Sequence, residues 1–418
     1  LNGVQLPSTE SDRKAFTLDI IPSFVVDKMV IAKTASPDKP GDFAGGLIDI
    51  TTRDIPFENS AFITIGGGTH SLTTNKNFTA QYTTGSDVFG LATDRILPTN
   101  IISTAENKPL QAGNALLTAE GQKFNHDFSR RSFNANPNLT FQAGINGRTK
   151  IFGNDFGYLG AATFSNSYRN INSFQTIPLL GNETALKNPV NGDTINQNIS
   201  RYNTTSALMG NFSYKIGDFT KISFKNLYTV ISENSYGERF LGRLPADEAE
   251  NQKQRSYIYF FSSNQMVSNQ LNVDHYFNKA KLRVNATGGF FYADRQVPDY
   301  RRLNYQSLFD TETRTYGRYQ LFSVPDVRDF NPDLPQRYYS NLYENAKNAN
   351  LDITKSVNFL ESTDIKAGFA YMERERTFRV RNFLYGYNKN SLSQAPTFFG
   401  PDTIFNNRIN TVSYTHLT

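Results

Sequence analysis

Four histidines are the obvious candidates for acid–base or metal chemistry, and their spacing favours neither. His70, His126, His275 and His416 lie far apart, without a second histidine or a carboxylate at metal-ligand spacing. His275 stands between Asp274 and Tyr276 on a predicted strand. It could face a lumen as a ligand contact, although a solvated or hydrogen-bonded histidine is the commoner case. Serine and aspartate are plentiful, yet no Gly-x-Ser-x-Gly nucleophile elbow occurs. Gly66-Gly67-Gly68 lacks the Lys-Ser and helix start of a phosphate loop and fits better as a flexible stretch of strand. No catalytic residue, metal ligand or cofactor motif stands out, so the expectation is a protein that is not an enzyme.

Binding residues are easier to nominate. Tyr300-Arg301-Arg302-Leu303-Asn304-Tyr305 and Gln336-Arg337-Tyr338-Tyr339 fall in a predicted long link at 298–346. Aromatic faces stack on sugars and hydrophobic ligands, and the guanidinium fork grips carboxylates or phosphates. Tyr300, Arg301, Arg302, Tyr305, Arg337, Tyr338 and Tyr339 are therefore the ligand-contact candidates. The commoner role of such rings is to pack loops against one another. Phe290-Phe291-Tyr292 and Tyr257-Ile258-Tyr259-Phe260-Phe261 read instead as aromatic belts at a membrane boundary.

The elements that hold these residues read as strands. Lys281 to Gly288 alternates polar and apolar without a break; Leu208–Ile216 does so with only Met209 out of step. Leu139–Ala143, Leu351–Thr354 and Ile365–Phe369 repeat the pattern, giving each strand one apolar and one hydrophilic side. A long run from Tyr257 to Phe277 keeps its main apolar residues in one register, beyond what a bilayer requires. Short links are expected at Gly217-Asp218, Asn278-Lys279 and near Gly153-Asn154-Asp155. Long ones are expected at about 70–136, 169–203, 236–251, 298–346 and beyond 383. This alternation belongs to transmembrane barrels, with tight turns at one end and long loops at the other. It counts against a soluble all-β sandwich. Parity assigns Asn77–Tyr82 to the first long link, as a small hairpin, and leaves about nine spanning strands. Such barrels close with an even number, so more strands are expected beyond the C-terminus.

Composition agrees. With 34 Phe and 22 Tyr in a chain of negative mean hydropathy, a membrane boundary accommodates the rings better than a soluble core does. No apolar run reaches the ~18–20 residues of a spanning helix. The net charge of +5 is spread along the chain, so no nucleic-acid footprint appears. Cysteine is absent, which leaves the compartment open. There is no signal peptide or initiator Met, so an outer-membrane chain would be missing its start.

Residues 1–58 differ from the rest. Turn signals cluster at Ser36-Pro37, Lys39-Pro40-Gly41-Asp42 and Gly45-Gly46, between two predicted short strands, Val25–Ile31 and Leu47–Thr52. Leu1-Asn2-Gly3-Val4-Gln5-Leu6-Pro7-Ser8-Thr9-Glu10 and Asp12–Phe16 resemble the middle of the plug of TonB-dependent outer-membrane receptors. The similarity is to Bacteroidetes-type members with a carboxypeptidase-regulatory-like domain. Ile21–Pro37 and Gly41–Arg53 look like the end of that plug, which closes with a small-residue pair, a strand and a Thr-rich exit into the first barrel strand. The resemblance is specific over 1–58 and looser over 59–410.

The resemblance implies a mainly β protein. The C-terminal part of an α+β plug (1–58) precedes the N-terminal part of an incomplete antiparallel transmembrane β-barrel with long external loops (59–411). Residues 412–418 resemble a translated adapter and read as a possible non-native tail. Gly45 and Gly46 would let the backbone pack closely in a lumen where a Cβ would clash. Arg53 and Asp54 would sit where plug meets barrel, where a buried charge needs a partner. The plainer alternative is a β-turn and a solvated arginine. The implied function is import across the Gram-negative outer membrane of a scarce siderophore, vitamin, glycan or peptide. It would be driven by the TonB energy-transducing complex through a box missing from this chain. The implied partners are that complex, the lipid bilayer and an unknown imported ligand, with no cofactor and no nucleic acid. A passive porin or adhesin barrel shares the strand pattern but lacks the plug.

Overall fold

The computed structural model describes residues 2–3, 26–34, 46–56, 58–81, 85–91, 95–101, 114–125, 127–178, 192–243, 252–310, 312–321, 335–357, 363–385 and 411–412. The elements are β1 (Val26–Ala32), β2 (Leu47–Thr52), β3 (Ser60–Gly68), β4 (Asn77–Gln81), α1 (Asn114–Gly121), β5 (Arg130–Asn134), β6 (Asn138–Ile151), β7 (Asn154–Pro178), β8 (Gly192–Ile216), β9 (Thr220–Arg243), β10 (Gln252–Phe277), β11 (Leu282–Asp310), β12 (Thr315–Tyr316), β13 (Gln320–Leu321), β14 (Gln336–Val357), β15 (Thr363–Tyr385) and β16 (Thr411–Val412). Most of the chain lies in one large antiparallel sheet, ordered β3, β6, β7, β8, β9, β10, β11, β14, β15 and β16. Chain neighbours pair with one another, and β16 adds two residues beside Leu384 and Tyr385. Its second residue, Val412, falls inside the stretch expected to be a non-native tail. Among the described residues β3 pairs only with β6, so the sheet is open.

Tight links gather at one end. Ile151 faces Asn154 across Phe152-Gly153, whose φ values of 51° and 77° suit a two-residue turn matched to strand twist. Gly217 takes φ 57° between paired Ile216 and Thr220, and Lys281 takes 49° in the link from Phe277 to Leu282. The opposite end differs from expectation in extent. Much of the predicted long links at 169–203, 236–251 and 298–346 is paired strand, because β7 runs to Pro178, β8 starts at Gly192, β9 runs to Arg243 and β11 to Asp310. Hydrogen bonding to neighbouring strands carries these segments even where side-chain alternation fades. A strand of 25 residues, such as β7, spans roughly 80 Å at ~3.3 Å per residue. A hydrocarbon slab needs only ~9–11 residues.

The two faces differ sharply near the tight turns. One cross-strand row reads Phe156, Tyr214, Ile222, Val273, Ala286, Leu351 and Phe369 over seven strands. The next row, on the opposite face, reads Gly157, Ser213, Ser223, Asn272, Thr287, Asn350 and Ala370. The apolar side is bare: Phe224 is 45% exposed, Leu271 48%, Phe369 64% and Ile65 73%. Ser213 and Ser223, at 1% and 0%, are buried and bonded to each other at 3.0 Å. Exposed phenylalanines over buried serines reverse the usual order of a water-soluble fold.

The polar face is covered by the hairpin of β1 and β2, joined antiparallel as the sequence suggests. Ile50 packs into Leu159, Ala161, Met209, Leu227 and Met266, from four strands of the sheet. Burying such a side chain contributes about 1.5–3 kcal/mol. Polar contacts fix the register. Asn211 donates to Thr52 Oγ1 at 3.0 Å, Lys225 to Asn2 Oδ1 at 3.1 Å, and Asn350 to the Gly3 carbonyl at 3.2 Å. Asp54 accepts ion pairs from Lys221 at 2.7 Å and Lys225 at 2.6 Å. The chain then runs so close to β7 that a Cβ on Gly157 would meet the Asp54 carbonyl and Ile55 Cα at 2.9 Å.

Above the apolar band, burial moves to the opposite face. In β9 the buried residues Ser223, Lys225, Leu227 and Thr229 give way to Val230, Ser232, Asn234 and Tyr236. The cover there comes from residues between β3 and β6, including a second two-stranded sheet of β4 and β5. Asn77–Gln81 thus lies off the main sheet, in the small hairpin that parity required. Gln81 donates to Asn234 Oδ1 at 2.9 Å, and Ser263 donates to the Gly90 carbonyl at 2.6 Å. Phe128 packs among Tyr236, Tyr257 and Tyr259, with the Tyr259 hydroxyl donating to its carbonyl at 3.1 Å. Tyr257, Tyr259 and Phe261 are therefore core under this cover rather than a belt. Of the other predicted belt, Phe290 and Tyr292 face the apolar side while Phe291 is buried on the polar one.

Candidate functional site

The seven ligand-contact candidates lie on paired strands, not in a loop. Tyr300 faces Tyr338, Arg301 faces Arg337, and Arg302 faces Gln336 across β11 and β14, while Tyr305 pairs with Leu321 of β13. A period of two therefore splits them between faces. An irregularity at Val297/Tyr300 decides which goes where, with Asp299 in the left-handed region at φ 55°. Asp tolerates that conformation better than most residues. Below the bulge, even-numbered residues of β11 such as Tyr292 share the apolar face. Above it, odd-numbered residues do.

Asp299, Arg301, Leu303 and Tyr305 are thereby turned under the cover to which Ile101, Phe124 and Phe128 belong. Asp299 is the hub. It accepts from Arg301 Nε at 2.8 Å, from Arg337 Nε and Nη2 at 2.7 Å each, and from the Tyr339 hydroxyl at 3.0 Å. Asp299 is 3% exposed in its side chain and Arg337 0%. Burial pushes the Asp299 carboxyl up, but the guanidiniums of Arg301 and Arg337 outweigh it and hold the group at about 2. Both guanidiniums also lie on rings of the covering segment: Arg301 is 4.8 Å from Phe128, and Arg337 is 4.8 Å from Phe124. Arg301 donates to the Asp127 carbonyl as well. Phe124 packs with Ile101, Tyr339 and Phe383. Four candidates, Arg301, Arg337, Tyr305 and Tyr339, thus have interior roles, clamping the cover to the strands.

Tyr300, Arg302 and Tyr338 take the other face, continuous with the polar side that carries the β1–β2 hairpin lower down. All three are half-buried. Tyr300 stands edge-on to Phe260 at 6.1 Å and to Tyr338 at 6.3 Å, a row of rings across β10, β11 and β14. Arg302 Nε donates to Asn304 Oδ1 at 3.2 Å. Rings with phenolic hydroxyls beside a guanidinium offer stacking surface and an anion-binding fork.

Other sequence candidates fall elsewhere. Gly45 lies outside the described residues. A Cβ on Gly46 would meet only the Ala32 carbonyl, at 3.9 Å, so no steric need for glycine appears there. Arg53 is exposed, and its neighbour Asp54 is the charge that finds partners. His275 faces the apolar side, bonded to Thr220 Oγ1 at 2.8 Å and set against Phe277, not toward a lumen. His126 and His416 lie outside the described residues. Sequence reasoning missed Asp299, because it places Pro298 at the start of a long link; a proline within a strand marks a bulge, and here it lies within β11 beside Asp299. It also missed Asp87 and Arg95, buried and paired at 2.5 Å within the cover. Compared with family models, curated proteins and solved structures, the chain matches none.

Proposed function

We propose that this chain is the end of the plug and the first part of the barrel of a TonB-dependent outer-membrane receptor that imports a scarce ligand. One observation carries the reading: a bare apolar band crosses the sheet while its polar opposite face holds a separate N-terminal hairpin. A bilayer satisfies the first side, since lipid replaces water against Phe224, Leu271 and Phe369. A water-filled interior satisfies the second, where serine, threonine and carboxamide side chains hydrogen-bond. The hairpin inside that interior is the part a passive pore does not need. The row of Phe260, Tyr300 and Tyr338 beside Arg302 lies on the interior side above the hairpin, where a ligand arriving from outside would first meet the protein. Siderophore, vitamin, glycan and peptide all remain within what such a surface accepts.

Uptake measurements test the proposal in cells expressing the full-length receptor. Uptake should collapse when the proton gradient is dissipated, because the TonB complex draws on it. Uptake that persists makes the chain a passive porin. The protein should also fractionate with the outer membrane and need detergent for extraction; recovery from the soluble fraction ends the barrel reading.

A further inference from the structure

The covering segment between β3 and β6 has its polarity inside out around a short 3-10 turn, Gly85–Phe89. Asp87 and Arg95, the charged residues described within 85–91 and 95–101, are 3% and 8% exposed. They pair with each other, and Asn234 donates to Asp87 at 3.4 Å while the Arg95 guanidinium lies 4.5 Å from the Phe261 ring. Three of its apolar residues point away from the protein: Val88 is 46% exposed, Phe89 60% and Ile96 61%, whereas Ile101 beyond them is buried.

Position gives this inversion meaning. Gly90 sits so tightly on β8 and β9 that a Cβ would meet Ser232 Oγ at 2.8 Å, and its φ of +77° suits glycine. Ser232 is the next residue on the same face after Val230 and Tyr228, where the bare apolar band ends. The Phe89 ring lies 6.4 Å, edge-on, from Phe164, a residue of that band paired with Phe141. Phe89 therefore continues the apolar band upward from Phe164. Water as neighbour would leave three large apolar groups bare above buried charges, at a cost of roughly 25 cal/mol per Å² of apolar area.

We propose that the described stretches 85–91 and 95–96 form a membrane collar, with Val88, Phe89 and Ile96 inserted into the acyl-chain boundary of the outer leaflet. The proposal rests on the barrel reading and adds a lipid-binding element that lies on the membrane rather than crossing it. The buried Asp87–Arg95 pair and the seat of Gly90 fix the collar's height on the sheet. Such apolar side chains reach about 5–10 Å into the headgroup and acyl boundary.

The chain has no cysteine, so single-cysteine spin labelling tests this directly. Phe89→Cys and Ile96→Cys are made in the full chain reconstituted into phosphatidylcholine bilayers, beside Phe224→Cys in the band and Phe152→Cys at a tight turn. Accessibility to oxygen, which partitions into lipid, is compared with accessibility to a water-soluble nickel chelate. The collar positions should resemble Phe224, with an oxygen-to-nickel ratio several-fold above that of Phe152. If Phe224 reads lipid while Phe89 and Ile96 read water, the collar is refuted and the barrel stands. If Phe224 itself reads water, the barrel fails. Collar labels shielded from both reagents would mean that protein, such as a second copy, covers them, and would equally overturn the proposal.

Discussion

Replacing Asp299 with Asn keeps the shape of the hub and removes its charge. Two guanidiniums, Arg337 at 0% exposure and Arg301 at 9%, would then share a buried site without the carboxylate that neutralises them. Deleting one partner of a buried ion pair costs about 3–5 kcal/mol, most of it from the stranded charge. The penalty falls on a local contact, because the arginines reach the cover through Phe124, Phe128 and the Asp127 carbonyl. The cheapest relief is for the cover to lift and admit water to the guanidiniums. At about 1.4 kcal/mol per decade, its opening should become roughly two to four orders of magnitude more frequent. Hydrogen exchange on the refolded protein reads this site by site. Amides of β5, bonded to β4 within the cover, should exchange faster by that factor, while amides of Phe141–Ile145 in β6 keep their protection. Unchanged exchange in β5 would refute the clamp, since the charges would have to be satisfied by something other than the cover.

Three further outcomes are expected. Acid should mimic that substitution: the folded carboxyl sits at about 2, below the ordinary 3.8, so its contribution is full above roughly pH 4 and fades as pH falls toward 2. Exchange of β5 followed from pH 5 to 2 should therefore lose protection only in that window, and Asp299→Asn should lack the transition. Gly157→Ala should lower thermal stability in detergent by about 1–3 kcal/mol, because backbone atoms of Asp54 and Ile55 occupy the space. Gly288→Ala meets nothing within 4 Å and serves as the neutral comparison in the same melts. Leu271→Arg should impair folding into vesicles by about 2–4 kcal/mol, whereas Asn272→Arg on the polar face should have little effect; equal effects in heat-dependent gel mobility would contradict opposite faces meeting lipid and water.

Much of the architecture was legible in the chain because a strand displays its two environments with a period of two. Lys281–Gly288 and Leu208–Ile216 told which side of the sheet was apolar, and Gly153, Gly217 and Asn278-Lys279 marked where it turned. The alternation of short and long links ordered nine long strands as sequence neighbours and kept Asn77–Gln81 off the main sheet. The two short strands at Val26–Ala32 and Leu47–Thr52 were visible for the same reason.

Tertiary structure decided the rest. Whether Arg301 or Arg302 lies inside depends on one left-handed residue at Asp299, and a single-residue slip exchanges every side chain between faces. That Tyr257, Tyr259 and Phe261 are core depends on a cover more than a hundred residues earlier in the chain. That Asp54 needs Lys221 and Lys225 depends on where a hairpin lands on β9. Periodicity is local and reports only that a face is apolar; what lies against that face is set by chain segments distant in sequence.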